Sequence, residues 1–513
     1  MHKVTVITLF CVFLSSGLVF SQTSPMVVKD NILTNAPLYY NHTPNIARSS
    51  NDDLIAVWTS GEGQIVFSKY DPIFMMWLPP VPLSNAGDLA DKAGIAADDA
   101  GNLYCVWQQR ETSDQDFAIF FTKYDGNTWS APVNLTGNDA ENEEASIEVS
   151  DQGVIFVAWN TDAESDGAEF VYCITSKDGG DSWSVPQILS SADGIIGGTS
   201  TTSGRPFLAR ATAGKMVCAW HEEPDGHPDR ESFINQFDGS SWMGEIVNIN
   251  VADSANTMYP CVGVNSKDEI YMMYVSFVGM EQLLMKKKAW DDAGWPAAPD
   301  VLISGDDMLT KPVLGIDSND NMYLAFRRDN ADDEIYGLEE IAVMTSSNGG
   351  ITWSEQALLS RENYDAGYVT LAPRIRESGV DLLWRESYMP FLDDADTTTI
   401  MYGHIDLIIT SVESAENQTI VKRFKLNQNY PNPFNPTTNI SYSIVEPGIY
   451  ELAIFNMLGQ KIRLLESKRM GSGHYTAHWD ATNDSGNKVA SGIYFYRLSG
   501  KNFTLTKKMI LVQ

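Results

Sequence analysis

Cysteine is scarce: the 513-residue chain has five. None falls in a CxxC pair, which excludes zinc-ribbon and thioredoxin-type redox sites. Cys11 lies in the N-terminal apolar run, and Cys105, Cys173, Cys218 and Cys261 each sit inside an apolar stretch of the body and read as buried free thiols. Basic residues are few, 35 against 67 acidic ones, for a net charge of −32. Such a surface repels nucleic acid and anionic membranes. No run beyond residue 20 is apolar enough to cross a bilayer. Long helical periodicities are also missing, so α/β folds are excluded. Neither an HExxH helix nor an EF-hand loop is present.

At the N-terminus stands a secretory signal, residues 1–21. Lys3 supplies the positive start, Val4 to Phe20 the apolar core, and Val19 and Ser21 the small residues for cleavage before Gln22. No lipoprotein motif surrounds Cys11. The remaining charge is unevenly divided. Residues 422–513 carry 12 basic and 5 acidic side chains, so the rest of the chain bears all of the acidic excess.

Self-similarity dominates residues 22–410. One phrase, a turn of Asp, Asn or Gly followed by apolar and β-branched residues and an aromatic, recurs seven times and ends at Trp58, Trp107, Trp159, Trp220, Tyr274, Phe326 and Trp384. The copies lie 49 to 61 residues apart, a period that means a propeller or solenoid. A second phrase follows most copies: Ser176-Lys177-Asp178-Gly179-Gly180-Asp181-Ser182-Trp183, with relatives at Asn348 to Trp353, Asp125 to Trp129 and Asp238 to Trp242. Worn copies end at Trp77 and Trp295. Asp or Asn accepts backbone N–H bonds across a hairpin turn there, glycine supplies positive φ, and the Trp re-enters the sheet. Each repeat thus reads as four antiparallel strands, the first starting near a proline (Pro44, Pro206, Pro260, Pro312, Pro373). The fold class expected is all-β: a β-propeller of seven blades, or of six, then a small immunoglobulin-like β-sandwich. Met26 to Leu33 is expected to supply the missing outer strand of the last blade, against Thr398 to Ile409.

The second phrase resembles the Asp box of sialidases, the bacterial neuraminidase repeat. In that family it is a folding device, so Asp125, Asp178, Asp238, Asn348 and the Trp129, Trp183, Trp242 and Trp353 that close the turns are expected to be structural. The family's chemistry uses three arginines on a substrate carboxylate, a Tyr–Glu nucleophile pair and an Asp acid–base. Here Thr43-Pro44 stands where an Arg-Ile-Pro phrase is usual, and Arg205-Pro206 echoes it only in the fourth repeat. No catalytic set is assigned on this basis.

After a polar linker at 411–424, residues 425–513 contain Tyr430-Pro431-Asn432-Pro433-Phe434-Asn435-Pro436-Thr437-Thr438, Ile454 to Gly459 and Ala490 to Tyr496. These words resemble the type IX secretion sorting domain. The resemblance implies a Gram-negative host of the Bacteroidetes kind, passage through the outer membrane by that machinery, and removal of the domain on arrival.

Asp-box turns mark one end of each blade, so a ligand is expected at the opposite end, in the longer loops. Arg110, Arg205, Tyr259, Lys311, Arg327, Arg328 and Arg385 fall there, suited to gripping an anionic group. Glu222, Asp329 and Glu386 fall there too, as acid–base candidates. His221, Glu222, Glu223, Asp225, His227 and Asp229 have metal-ligand types, but a Pro and a Gly interrupt them, so no metal is expected. The run Asp393, Asp394 and Asp396 offers calcium a weak hold at most. The partner expected is an extracellular glycan or protein. The rival expectations are a sialidase-type glycoside hydrolase and a structural surface protein.

Overall fold

The computed structural model describes residues 26–32, 36–37, 43–71, 76–85, 87–113, 115–137, 140–162, 169–190, 204, 206–222, 230–243, 246–249, 256–277, 280–305, 310–329, 338–360, 364–373, 379–388, 397–406, 425–426, 429, 431–444, 448–457, 459–470, 473–500 and 504–512. Every regular element among them is a strand. The chain divides into two compact units, Met1–Thr410 and Ser411–Gln513.

Seven antiparallel sheets follow one another through the described residues of the first unit. The second is representative: Leu89–Ala97, Leu103–Arg110, Ala118–Tyr124 and Val133–Asn134 run from the axis outward. The innermost strands are Asn45–Arg48, Leu89–Ala97, Asn142–Val149, Phe207–Arg210, Thr257–Val264, Thr310–Ile316 and Tyr364–Pro373. Each packs on the next and the last packs on the first, closing a propeller around an axial channel of about 650 Å³. The second strand of each sheet is apolar on both faces because a neighbouring sheet covers each side; all six residues of Leu54–Thr59 are buried. Trp107 and Trp220 are fully buried and stack on Phe120 and Phe233 of the third strands.

Met26–Ile32, from the start of the chain, forms the outer strand of the seventh sheet. It pairs antiparallel with Thr397–Asp406, Met26 opposite Asp406 and Val28 opposite His404. One sequence expectation fails here. Pro373 closes the innermost strand of the seventh sheet, opposite Val380, where it was expected to start it. At a strand terminus its missing N–H removes no ladder bond.

The Asp-box turns are self-contained hydrogen-bond units. Asp178 Oδ1 accepts from the Ser182 amide at 2.9 Å and the Ser176 hydroxyl at 2.8 Å, and Oδ2 from the Ser182 hydroxyl at 2.5 Å. Asp125 accepts from the Asn127 and Thr128 amides, Asp238 from those of Ser240 and Ser241, and Asn348 from that of Thr352. Gly180 has φ +88°, and a Cβ there would meet the Phe121 ring at 2.4 Å. Trp183 packs edge-on against the same Phe121, on the preceding sheet, and Trp242 against Phe156 in the same way. The turn's aspartate shapes the hairpin, and its tryptophan joins adjacent sheets.

The bonds from Ser182 and Ser176 hold the Asp178 carboxyl down at about 2, below its ordinary 3.8. Its folded pKa is depressed, so the stability it contributes is present above 3.8 and fades as pH falls toward 2. Asp178→Ala is expected to lower the denaturation midpoint at pH 7 and to lose most of that difference below pH 2. Urea titrations at both pH values measure this, and equal destabilisation at both would contradict it.

In the second unit, Lys425–Leu426, Thr438–Ile444 and Gly473–Trp479 form one sheet. Lys461–Met470, Gly448–Asn456, Gly492–Ser499 and Thr504–Leu511 form the other. They share a core of Ile440, Tyr442, Leu452, Ile454, Trp479, Tyr496 and Met509, a small β-sandwich. The proline-rich phrase docks on the final strand. The Phe434 amide donates to Ile510 O, Phe434 O accepts from the Val512 amide, and the buried Phe434 ring meets Trp479.

Candidate functional site

The end of the propeller opposite the Asp boxes is built by one repeated backbone device. Lys92, Glu144, Tyr259, Lys311 and Tyr368 on five innermost strands, and Thr43 just before a sixth, occupy matching positions, all left-handed with φ between 51° and 55°. The ladder register slips around five of them, between Asp91 and Gly94, Glu143 and Ser146, Met258 and Cys261, Thr310 and Val313, and Gly367 and Thr370. These are β-bulges, which turn a side chain out of the strand's alternation. Prolines 44, 260 and 312 follow three of the residues, where their missing N–H costs no ladder bond. The matching position in the fourth sheet is Arg205, which lies outside the described residues.

On one side of the mouth, three consecutive sheets contribute Tyr259, Lys311 and Tyr368. Lys311 Nζ lies 4.5 Å from the centre of the Tyr368 ring and the Arg385 guanidinium 5.1 Å from it. Arg385 also reaches Asp365 at 3.3 Å, and Arg327 reaches Glu339 at 2.5 Å. Asp365 Oδ1 accepts the Glu339 amide at 3.1 Å, so the two pairs form one network. Burial raises the Glu339 carboxyl; Arg327 and Lys311 pull it down, while Asp365 and Asp329 push it further up.

The other side is acidic. Lys92 Nζ bridges to Glu144 at 2.6 Å and Glu143 at 3.8 Å. Gln108, from the second sheet, donates to Glu143 and accepts the Glu144 amide. Burial, then Glu143 and Asp162, raise Glu169 to about 7; Arg230 opposes them, and Glu144 adds to the rise. Burial, Glu143 and Asp116 likewise raise Glu141, against the Phe117 amide and Arg110.

The residues expected at the site divide sharply. Tyr259, Lys311, Arg327, Asp329 and Arg385 gather at the mouth or in the network behind Tyr368. Arg328 instead pairs with Glu340 and Gln356 on its own sheet. Arg110 lies over the Phe117 ring and donates to Gln115 O. Glu222 and Glu386 lie inside their sheets. They are 1% and 0% exposed and accept the indole N–H of Trp220 and Trp384, two residues earlier on the same strand face. Their position within the sheets makes them partners for tryptophan. Residues 223–229 and 389–396, which hold most of the His/acid cluster and the Asp393 run, lie outside the described residues. No group of three or more His, Cys, Asp or Glu is placed for a metal among the described residues.

Tyr368, Lys92, Glu143, Glu144 and Glu169 were missed. The signal available was alignment: Lys92, Glu144 and Tyr368 occupy the position that precedes the proline in other repeats, but no proline marks it in theirs.

No helix among the described residues is long and apolar enough to cross a membrane. No curated protein matches the chain. Among solved structures, the chain is similar to a protein of unknown function from Dyadobacter fermentans (11% identity, 72% of this chain and 99% of that one, TM-score 0.48). It is also similar to a PL25 ulvan lyase (10%, 72% and 95%, 0.48) and to the Hadza microbial sialidase Hz136 (14%, 68% and 73%, 0.41). The secretion system C-terminal sorting domain family matches residues 428–513, which marks an exported protein, secreted or held at the cell surface of a Bacteroidetes-type Gram-negative bacterium. The repeats themselves are matched across residues 101–375, more than half the sequence, and the chain therefore belongs to the BNR repeat-like domain family.

Proposed function

We propose that this propeller binds an extracellular glycan carrying an anionic group, at the mouth lined by Tyr259, Lys311 and Tyr368. One observation carries the reading: a single bulge geometry, repeated on three consecutive sheets, puts an aromatic, a cation and an aromatic at matching positions, with Lys311 Nζ 4.5 Å from the Tyr368 ring. Aromatic faces suit the apolar faces of sugar rings, and Lys311 beside Arg385 suits a carboxylate or sulfate. The Asp365 and Glu339 pairs fix the two arginines, and Lys311 and the Tyr368 ring are the groups offered to the ligand.

A glycan array on the exported protein, followed by calorimetry with the best acidic oligosaccharide, tests this. Lys311→Ala is expected to weaken binding by about 1.5–3 kcal/mol, the range for a hydrogen bond to a charged group. Tyr368→Ala should cost at least as much, since it also releases Arg385. Asp178→Ala, on the far end, should leave affinity unchanged. Unaltered affinity in both mouth variants would exclude the site.

Hydrolysis of such a glycan is the second reading. It is favoured by Tyr368 standing between two cations with the Glu339 and Asp365 carboxyls behind it. Release of a fluorophore from an aryl sialoside, abolished by Tyr368→Phe, would select it over binding alone.

A further inference from the structure

The acidic side of the mouth contains acceptors with too few donors. Asn160 is 3% exposed, and its Oδ1 finds no hydrogen-bond partner among the described residues. Glu169 Oε2 is likewise buried and without one. Both lie on the face of the third sheet that packs against the fourth. Asn160 alternates with Ala158 and stands opposite Val171, two residues from Glu169; Ala158 and Val171 pack with Leu208, Cys218 and Trp220 of the fourth sheet. Across the ladder on the inner side, Asn160 stands opposite Glu143. Glu143's own carboxylate is held by Gln108 and Lys92 of the second sheet, so the niche is edged by the Glu169 carboxyl and the Asn160 amide oxygen, with Glu143 behind them.

The charges facing it come from the third sheet and from the fourth, whose Glu222 and Glu231 lie on the same face as Trp220 and Phe233. Glu143 and Glu144 lie on the innermost strand, Asp162 at the end of the second, and Arg230 just before the fourth sheet's third strand. Lys92 is engaged by Glu144 and Glu143. Carboxylates outnumber cations here, and burial, then Glu143 and Asp162, hold Glu169 up at about 7 against the pull of Arg230. A buried acceptor that is left unpaired costs about 1–3 kcal/mol, so a donor-rich cation is the complementary ligand. A metal would need several carboxylates converging on one point, and no such group occurs among the described residues. A primary ammonium, with three donors and one charge, matches a carboxyl and an amide oxygen with a second carboxylate behind them.

We propose that the niche of Asn160 and Glu169, backed by Glu143, binds the protonated amino group of a saccharide, making an amino-sugar-containing glycan the substrate class of the mouth. This rests on the glycan-binding reading and extends it to the opposite side of the site. Binding transfers no covalent bond. The ammonium replaces the proton on Glu169, which leaves to solvent.

Calorimetry at pH 6 with the full chain tests it, using a glucosamine hexamer and an N-acetylglucosamine hexamer as probes. The expected result is at least tenfold tighter binding of the free amine. Release of a proton should accompany it, seen as a heat that changes with the ionisation enthalpy of the buffer. The acetylated hexamer should release none. Glu169→Gln is expected to erase both the preference and the release. Equal affinities, a preference that survives Glu169→Gln, or binding of neither hexamer would overturn the proposal. So would a melting temperature raised by calcium chloride in the parent chain and unmoved in Glu169→Gln, which would make the niche a metal site. If Glu169→Gln fails to fold, proton release by the parent chain decides alone. Failure of the mouth itself reads differently: Tyr368→Ala would then leave binding of acidic oligosaccharides from the array intact.

Discussion

Deleting residues 22–35 is expected to lower the unfolding free energy by roughly 3–6 kcal/mol, taking each lost backbone bond at about 0.5–1.5 kcal/mol. The segment supplies the outer strand Met26–Ile32, which pairs with the strand Thr397–Asp406 at Met26, Val27, Val28, Lys29 and Ile32. Without it, Thr397–Asp406 becomes an exposed edge beyond Thr397 and Thr398, which keep Pro37 and Ala36 as partners. Ile400, Tyr402 and Ile405 are buried on that strand, so the new edge is both unpaired and apolar-backed. Such an edge templates pairing with another chain. The variant should therefore unfold at lower urea and also self-associate, visible as concentration-dependent light scattering. An unchanged midpoint with a monomeric profile would mean that the seventh sheet holds without its N-terminal strand. Refolding of the parent chain should also be slow, because the closing pair joins residues nearly the full length of the propeller apart.

The repeat was legible because its signals are local. A buried second strand must be apolar throughout, and a hairpin closed by Asp and Gly must write those residues at fixed offsets. Trp58, Trp107 and Trp220 therefore announce themselves, as do Asp178 and Asn348. The site was less legible because it depends on register. Nothing in the order of residues shows that Arg327 and Arg328 face Glu339 and Glu340 twelve positions later, since the length of the intervening connection sets the pairing. The packing of Glu222 and Glu386 was hidden for a related reason. Two residues after a tryptophan on a strand, a side chain returns to the tryptophan's face and becomes its hydrogen-bond acceptor. Glu169 has no motif at all. Its perturbation arises from burial first and then from Glu143, Asp162 and Glu144, carboxylates that only the folded third sheet brings around it.

Asp381→Ala is expected to cost about 3–5 kcal/mol, the range for breaking one side of a buried ion pair. Asp381 is 0% exposed, and its Oδ2 accepts from Arg48 Nε at 2.7 Å while Oδ1 accepts from the Tyr402 hydroxyl at 2.8 Å. Arg48 belongs to the first sheet and Asp381 to the last, so this contact ties the two ends of the ring at the Asp-box end. Removal of the carboxylate leaves a guanidinium that is only 17% exposed facing a cavity, with Asp52 3.8 Å away as its remaining acidic contact. The Tyr402 hydroxyl loses its acceptor as well; burial, then Asp381, now hold that hydroxyl well above the ordinary tyrosine range. Asp381→Asn keeps an acceptor and loses the charge, so it should fall between the parent and the alanine variant. The pair Arg48→Met with Asp381→Leu, which removes both charges and refills the space, should recover much of the loss. By contrast the Lys123–Asp181 pair, with its aspartate 72% exposed, should contribute at most about 1 kcal/mol. Urea unfolding of the four Arg48/Asp381 combinations gives the coupling directly. Loss of less than about 1 kcal/mol in Asp381→Ala would show that the ring is held shut by its outer strand alone, and that the inner ion pair is dispensable.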